Sequence, residues 1–280
     1  ASVIGDGDSA TIWYRLGWHD RMRLTRRPHA LRPLGRLAAG LVVLAALRHA
    51  RAVRPAPARA PSHPLADLAD GWRYAMGFVP IRRMLLLLAT LSVTVGAYST
   101  LMPAIAVKTF GEGARLVGLF IGAVGLGAVI AAVGLARRHS VRGLAKWIGF
   151  SSIAAGLGAA GFCFSRSVPL SALLMAVSGF GMFMTAASCN TIVQSVVDED
   201  KRGRVMSYYT MFFIGSLPLG HLAAGALAER IGAPYTFLAG GILCALAGAV
   251  FTWRLPSFRE HLRPAYVARG IIPPTGEPPQ

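Results

Sequence analysis

The sequence predicts an all-α, polytopic membrane protein built as a six-helix transmembrane bundle, and three observations carry that prediction. Of the 280 residues, 54% are hydrophobic and only 15% charged, with a mean hydropathy of +0.51; an ordinary soluble domain carries roughly 25% charged residues. Six uncharged apolar runs each reach the about 18 to 20 residues that cross a hydrocarbon core of about 30 Å at 1.5 Å per residue. Lys and Arg fall between those runs and never inside them.

The same composition excludes disorder, a collagen-like repeat and a disulfide scaffold. The three cysteines, Cys163, Cys189 and Cys244, each sit within an apolar run, and their number is odd. The net charge of +17 raises the question of a nucleic-acid partner. Such a partner needs cations on a soluble face beside base-reading groups, whereas most of these cations flank hydrophobic runs. We therefore expect the lipid bilayer, and no nucleic acid, as the partner of this charge.

Residues 1–61 form an Arg- and Pro-rich N-terminal segment and linker. Residues 1–60 hold 11 of the 29 Lys and Arg, opposed by Asp6, Asp8 and Asp20. The apolar run Leu37 to Leu47 is too short to cross a bilayer unaided. Without an initiating Met, the segment is expected to be the beginning of a fragment, a remnant or a frameshifted product. Arg51 to Pro64 reads as an extended linker, and no secretory signal order is visible.

Residues 62–257 hold the bundle. Asp67 to Tyr74 is expected as a short surface helix leading into span one, Met84 to Val107. Spans two to six follow at Leu116 to Ala136, Trp147 to Ser165, Ser167 to Val197, Val205 to Ala228 and Ile231 to Trp253. Their separators are short, so consecutive helices are antiparallel neighbours. Residues 258–280 are the tail. Orientation follows the excess of Lys and Arg. One side collects Arg73, Arg82, Arg83, Arg137, Arg138, Arg142, Lys146, Lys201, Arg202, Arg204, Arg254, Arg259, Arg263 and Arg269, and the other only Lys108, Arg115, Arg166 and Arg230. Both ends of the six-span unit are expected in the cytoplasm of a cell (inner) membrane.

No catalytic or metal-binding constellation is visible. The histidines (19, 29, 49, 63, 139, 221 and 261) pair with no Cys, Asp or Glu at ligand spacing, and the spans contain no Asp, Glu, Lys or Arg. We expect no enzyme activity, cofactor or metal. Glycine is abundant instead: Gly118 and Gly122 in span two form a small-xxx-small pair, which suits static helix packing or a sliding interface. Pro103, Pro169 and Pro218 punctuate spans one, four and five. Pro169 reads as a helix start, and Pro218 as a bend of consequence.

The polar candidates for a substrate path are Tyr98, Asn190, Gln194 and His221. Asn190 and Gln194 are four apart and share a face of span four, which Asp198 extends to the membrane edge. That stripe suits either a cavity or an interhelical bond. His221 is the only imidazole in any span, so both proton exchange and a simple helix bridge are open to it. Around Asp198-Glu199-Asp200-Lys201-Arg202-Gly203-Arg204, acids precede bases about a Gly that permits a tight turn. Asp198, Arg202, Gly203 and Arg204 are therefore expected as a charged hinge, with a solvated connector as the alternative.

Two stretches carry a family resemblance. NTIVQSVVDEDKRGRVMSYY, beginning at Asn190, and PLGHLAAGALAERIGAPYTF, Pro218 to Phe237, resemble the C-terminal half of a major facilitator superfamily transporter of the enterobactin exporter-like subfamily. The lead-in Leu65 to Leu87 and the tail Leu262 to Ile271 match in character. The loop after span two departs from the superfamily signature, since Gly134 is followed four residues later by Arg138 where the pattern has Asp. The resemblance implies two three-helix inverted repeats and secondary-active, proton-driven efflux of a small amphiphilic substrate such as a siderophore or drug by alternating access. It also implies a missing N-terminal six-helix half, or a second copy, as partner. A non-transporting six-span membrane scaffold or assembly partner is the alternative reading.

Overall fold

The computed structural model describes residues 64–268, apart from residues 112, 139, 140 and 142. The Arg-rich segment with its run Leu37 to Leu47, the linker up to residue 63, and the tail beyond residue 268 lie outside the described residues. Those described form ten helices: α1 Pro64–Gly77, α2 Val79–Thr94, α3 Tyr98–Phe110, α4 Ala114–Ala136, α5 Leu144–Phe164, α6 Val168–Val196, α7 Glu199–Phe213, α8 Leu217–Ile231, α9 Ala233–Trp253 and α10 Leu255–Ala268. They make six stretches long and apolar enough to cross a membrane. Val79–Phe110 joins α2 and α3, Glu199–Ile231 joins α7 and α8, and α4, α5, α6 and α9 each span alone. The all-α bundle is as the hydropathy predicts. Spans one and five start earlier than their uncharged runs, because Arg82, Arg83 and residues 199 to 204 are helical too. Charged side chains there can reach the interface while their backbone stays hydrogen-bonded.

The helix pairing has internal symmetry. α4 and α5 both lie on α6, α5 also lies on α9, and the second three spans return the pattern, with α9 and α8 packed on α2 and α3. Exchanging spans one, two and three with four, five and six maps these pairings onto one another, as repeated three-helix units would; among the described residues, the packing of α8 on α9 has no comparable counterpart between α4 and α5.

Glycine sets the closest approaches. A Cβ at Gly127 would stand 1.9 Å from the Ala176 carbonyl oxygen, and one at Gly179 would stand 2.2 Å from that of Val124, so α4 and α6 touch backbone to backbone. Gly156 and Gly241 bring α5 and α9 together in the same way. The Gly118/Gly122 pair behaves differently: a Cβ at either meets nothing within 4 Å, so within the described residues these two pack against no helix. Between α5 and α6, Ser151 and Ser152 share the Thr185 hydroxyl at 2.8 and 3.1 Å. Large apolar groups point outward instead, Leu222 at 72% and Trp253 at 78% exposed. This is the arrangement a lipid solvent favours, since lipid solvates Leu as well as a core does and small residues allow close packing inside.

Spans one and five are each broken near mid-length. At Val95–Ala97 and Ile214–Ser216 the helix opens into a turn. In each turn a glycine donates its N–H to the carbonyl five residues back, Gly96 to Leu91 at 2.9 Å and Gly215 to Thr210 at 3.2 Å. Such wide turns recur at functional sites. A Cβ at either glycine would lie 2.5 Å from the carbonyl oxygen four residues back, Ser92 or Met211, which excludes other residues from this backbone. Pro218 lies within the first two positions of α8 and does not kink a continuous helix. Its effect is felt upstream: lacking an N–H, it cannot bond Ile214, whose carbonyl instead takes the N–H of Leu217 at 3.1 Å. Pro103 sits inside α3, away from the break, and Pro169 starts α6 as predicted.

Candidate functional site

The two breaks border one cavity of about 640 Å³. Span four forms its floor through Gly179, Ala186, Ala187, Asn190 and Thr191, while span two contributes Val124 and Ala128. Tyr98 enters from the first residue of α3, just past one break, and Tyr209, Thr210, Phe213 and Ile214 line it along α7 up to the other. No Asp, Glu, Lys, Arg or His lines this cavity.

Its polar groups are sparing and mostly engaged. Thr191 and Thr210 donate their hydroxyls to the carbonyls of Ala187 and Met206 at 2.9 and 3.0 Å, within their own helices. Tyr209 donates to the Ala186 carbonyl at 2.9 Å, fastening α7 to α6, and its side chain also interacts with Asn190. Gln194 donates to the side-chain oxygen of Asn190. With Met182, Met206, Phe183 and Phe213 around them, these groups give an apolar, polarizable wall with a few oriented dipoles, the usual make-up of a small-molecule site.

Of the four path candidates, the structure brings Tyr98 and Asn190 into this cavity, with Gln194 one turn beyond Asn190. His221 does not line it. From α8 its Nδ1 lies 2.6 Å from the Thr100 hydroxyl of α3, so it joins the two half-helices that follow the breaks. Tyr209 was not singled out from sequence. The available signal was a tyrosine within an uncharged span, just beyond the charged segment.

The charged segment is helical from Glu199, with Asp198 as the residue before the first turn and Gly203 inside α7 facing open space. The expected tight turn at Gly203 is therefore absent; the chain turns at Val197 and Asp198 instead. Acids in the first turn of α7 complement its dipole. Arg202 lies 3.9 Å from Glu199 in an exposed pair that contributes little. α1 supplies the stronger hold: Trp72 packs on Tyr208 and Phe212 at ring distances of 5.6 and 6.1 Å, and Lys201 sits 4.8 Å above the Tyr74 ring. At Gly71 a Cβ would already stand 3.0 Å from the Arg204 side chain. Among the described residues, no group of three His, Cys, Asp or Glu is placed to hold a metal ion.

A family model described as transmembrane secretion effector matches residues 35–268. The multidrug efflux pump Tap of Mycolicibacterium fortuitum is 32% identical over 108 residues, which is 39% of this chain and 26% of that protein. The matched part thus spans about a quarter of the relative's length.

Proposed function

Because this chain belongs to the transmembrane secretion effector family of major facilitator transporters, we propose that it is one six-helix bundle of an efflux transporter working by alternating access. The observation that carries this reading is the uncharged cavity, bordered by two broken helices and walled by Tyr98, Asn190, Tyr209 and apolar neighbours. Its volume of about 640 Å³ lies in the range of small-molecule sites. The wall suits an amphiphile, neutral or cationic, whose charge faces aromatic rings and Met sulfur. The similar multidrug efflux pump makes a drug-like substrate the natural first choice, and the resemblance to enterobactin exporters adds siderophores. A second bundle covers the cavity, supplied by a preceding six-helix half or by a second copy. The excess of Lys and Arg puts both ends of the six spans in the cytoplasm. At the cytoplasmic end of α7, the contacts of α1 with Tyr208, Phe212 and Arg204 hold that end in one access state, and the exposed Arg202–Glu199 pair adds little to them.

The test is export of a lipophilic fluorescent cation from cells carrying the full-length reading frame. Ala187→Trp, which fills the cavity floor, is expected to slow export by about tenfold or more, on the scale of a lost or blocked binding surface. Insertion should be unchanged, because Ala187 is half-buried and faces the cavity. Normal export from a normally inserted Ala187→Trp protein would refute the cavity as the path.

The bond to Thr100 favours a bridging role for His221 over proton coupling. His221→Gln keeps a hydrogen-bonding partner for the Thr100 hydroxyl, so the pH profile of export should stay within about twofold of wild type. His221→Leu should lower stability by about 0.6 to 1 kcal/mol, the scale of an interhelical bond in membranes, and the folded yield with it. A flattened pH profile in His221→Gln at wild-type expression would instead assign the imidazole to coupling.

A further inference from the structure

A second groove, of about 410 Å³, runs between α2 and α9 and shares no lining residue with the cavity. Its lower end holds Arg83 and Arg254, and its length is lined by Leu86, Leu243, Leu246 and Val250, each about half exposed. The two arginines are held at one level, because Arg83 donates through Nη1 to the backbone carbonyl of Arg254 at 3.4 Å. Arg254 also caps the C-terminus of α9, where the uncharged span ends. Neither α2 nor α9 contains an Asp or Glu to neutralise them.

The dimensions identify the occupant. From Arg254 back to Leu243 is eleven residues of α9, or about 16 Å of rise, close to half of a hydrocarbon core of about 30 Å. The groove is therefore one leaflet deep, apolar along its wall and doubly cationic where a phosphate would sit. Thr90, the one hydroxyl along it, donates internally to the Leu86 carbonyl at 2.9 Å and offers the groove no competing polar site. Guanidinium matches phosphate oxygens with paired N–H donors. We propose that this groove binds one anionic glycerophospholipid from the leaflet on the arginine-rich side, its phosphate held by Arg83 and Arg254 and an acyl chain lying along Leu86, Leu243, Leu246 and Val250.

Native mass spectrometry of the purified 280-residue chain in detergent, with phosphatidylglycerol competing against phosphatidylcholine of the same chains, tests this. Two arginines at the headgroup level predict a preference for one retained phosphatidylglycerol of about tenfold or more. Arg83→Gln with Arg254→Gln should reduce the preference to below about threefold by removing that attraction. Removing two cations elsewhere, by Arg115→Gln with Arg230→Gln, should leave it in place. Leu246→Trp, which fills the groove, should lower retention of both lipids. Equal retention of the two lipids by wild type, or an equal loss of preference in both arginine pairs, would overturn the proposal. Should the Arg83/Arg254 variant fail to fold, a photoactivatable phosphatidylglycerol with a reactive acyl chain decides on wild-type protein. Crosslinks on α2 and α9 support the site, and crosslinks spread over other helices contradict it.

Discussion

Gly127→Ala is expected to be the most damaging Gly→Ala change among the described residues, while Gly122→Ala, five residues away on the same helix, should be neutral or mildly stabilising. Ala is favoured over Gly inside a helix by about 0.8 to 1 kcal/mol in water, so propensity alone predicts gain at both positions. Space decides otherwise. The added methyl at 127 would stand 1.9 Å from the Ala176 carbonyl oxygen and 2.7 Å from the Phe180 nitrogen. Both are backbone atoms of α6 and cannot rotate aside, so the helices must part. Overpacking of a core costs about 1 to 3 kcal/mol, and a clash with backbone belongs at the upper end or beyond. At 122 nothing lies within 4 Å of the new atom. Thermal unfolding of the detergent-solubilised chain, with the monodisperse yield as a second readout, separates the cases. A Gly127→Ala protein as stable as wild type would mean that α4 and α6 do not meet as closely as described.

That contrast also shows where sequence reasoning stops. Hydropathy is a one-dimensional signal, and a membrane makes it strong, because every backbone polar group in a span must be satisfied by helix formation. The six spans and the helical lead-in at α1 were legible for that reason. Which face of a helix meets a neighbour is not one-dimensional: the Gly118/Gly122 pair carries the spacing of a packing motif, yet Gly127 makes the contact. The breaks in spans one and five were only half visible. Pro218 pointed to one, but its effect appears four residues upstream, at the Ile214 carbonyl, which it cannot bond and which takes the Leu217 N–H instead. Gly96 marks the other, with no proline at the matching distance, and glycine is too common in these spans to single it out. The cavity likewise collects Tyr98 and Asn190 from distant spans, which only the fold can juxtapose. His221 stood out by chemical type, and its partner Thr100 could not be read from a sequence separation of 121 residues.

Trp72→Ala is expected to release α1 from α7. The indole lies edge-on to Tyr208 and stacked on Phe212, and each such ring pair is worth about 0.5 to 1.5 kcal/mol beyond the area it buries. Trp72 is 43% exposed, so the full core cost of a lost Trp, about 3 to 5 kcal/mol, does not apply, and about 2 kcal/mol is the reasonable figure. The neighbouring Asp70–Arg73 pair, 3.8 Å apart and largely exposed, adds little to resist opening. When opening and closing are faster than cleavage, proteolysis follows the open population, so about 2 kcal/mol becomes roughly thirtyfold faster trypsin cleavage at Arg73. Mass spectrometry of the released fragment in membranes open to the protease measures that rate. Trp72→Phe should recover most of the protection, since one ring face is kept. The consequence for transport follows from position: α7 is the segment between this contact and the break at Ile214–Ser216, and it carries Tyr209 and Phe213 into the cavity wall. A wall helix freed at its charged end no longer holds those side chains in one arrangement, so export by the full-length protein should fall in Trp72→Ala and return in Trp72→Phe. Cleavage at the wild-type rate in Trp72→Ala would show that α1 is held by the remaining contacts, Lys201 on Tyr74 and Arg204 on Gly71, and that the aromatic cluster is not what ties the lead-in helix to α7.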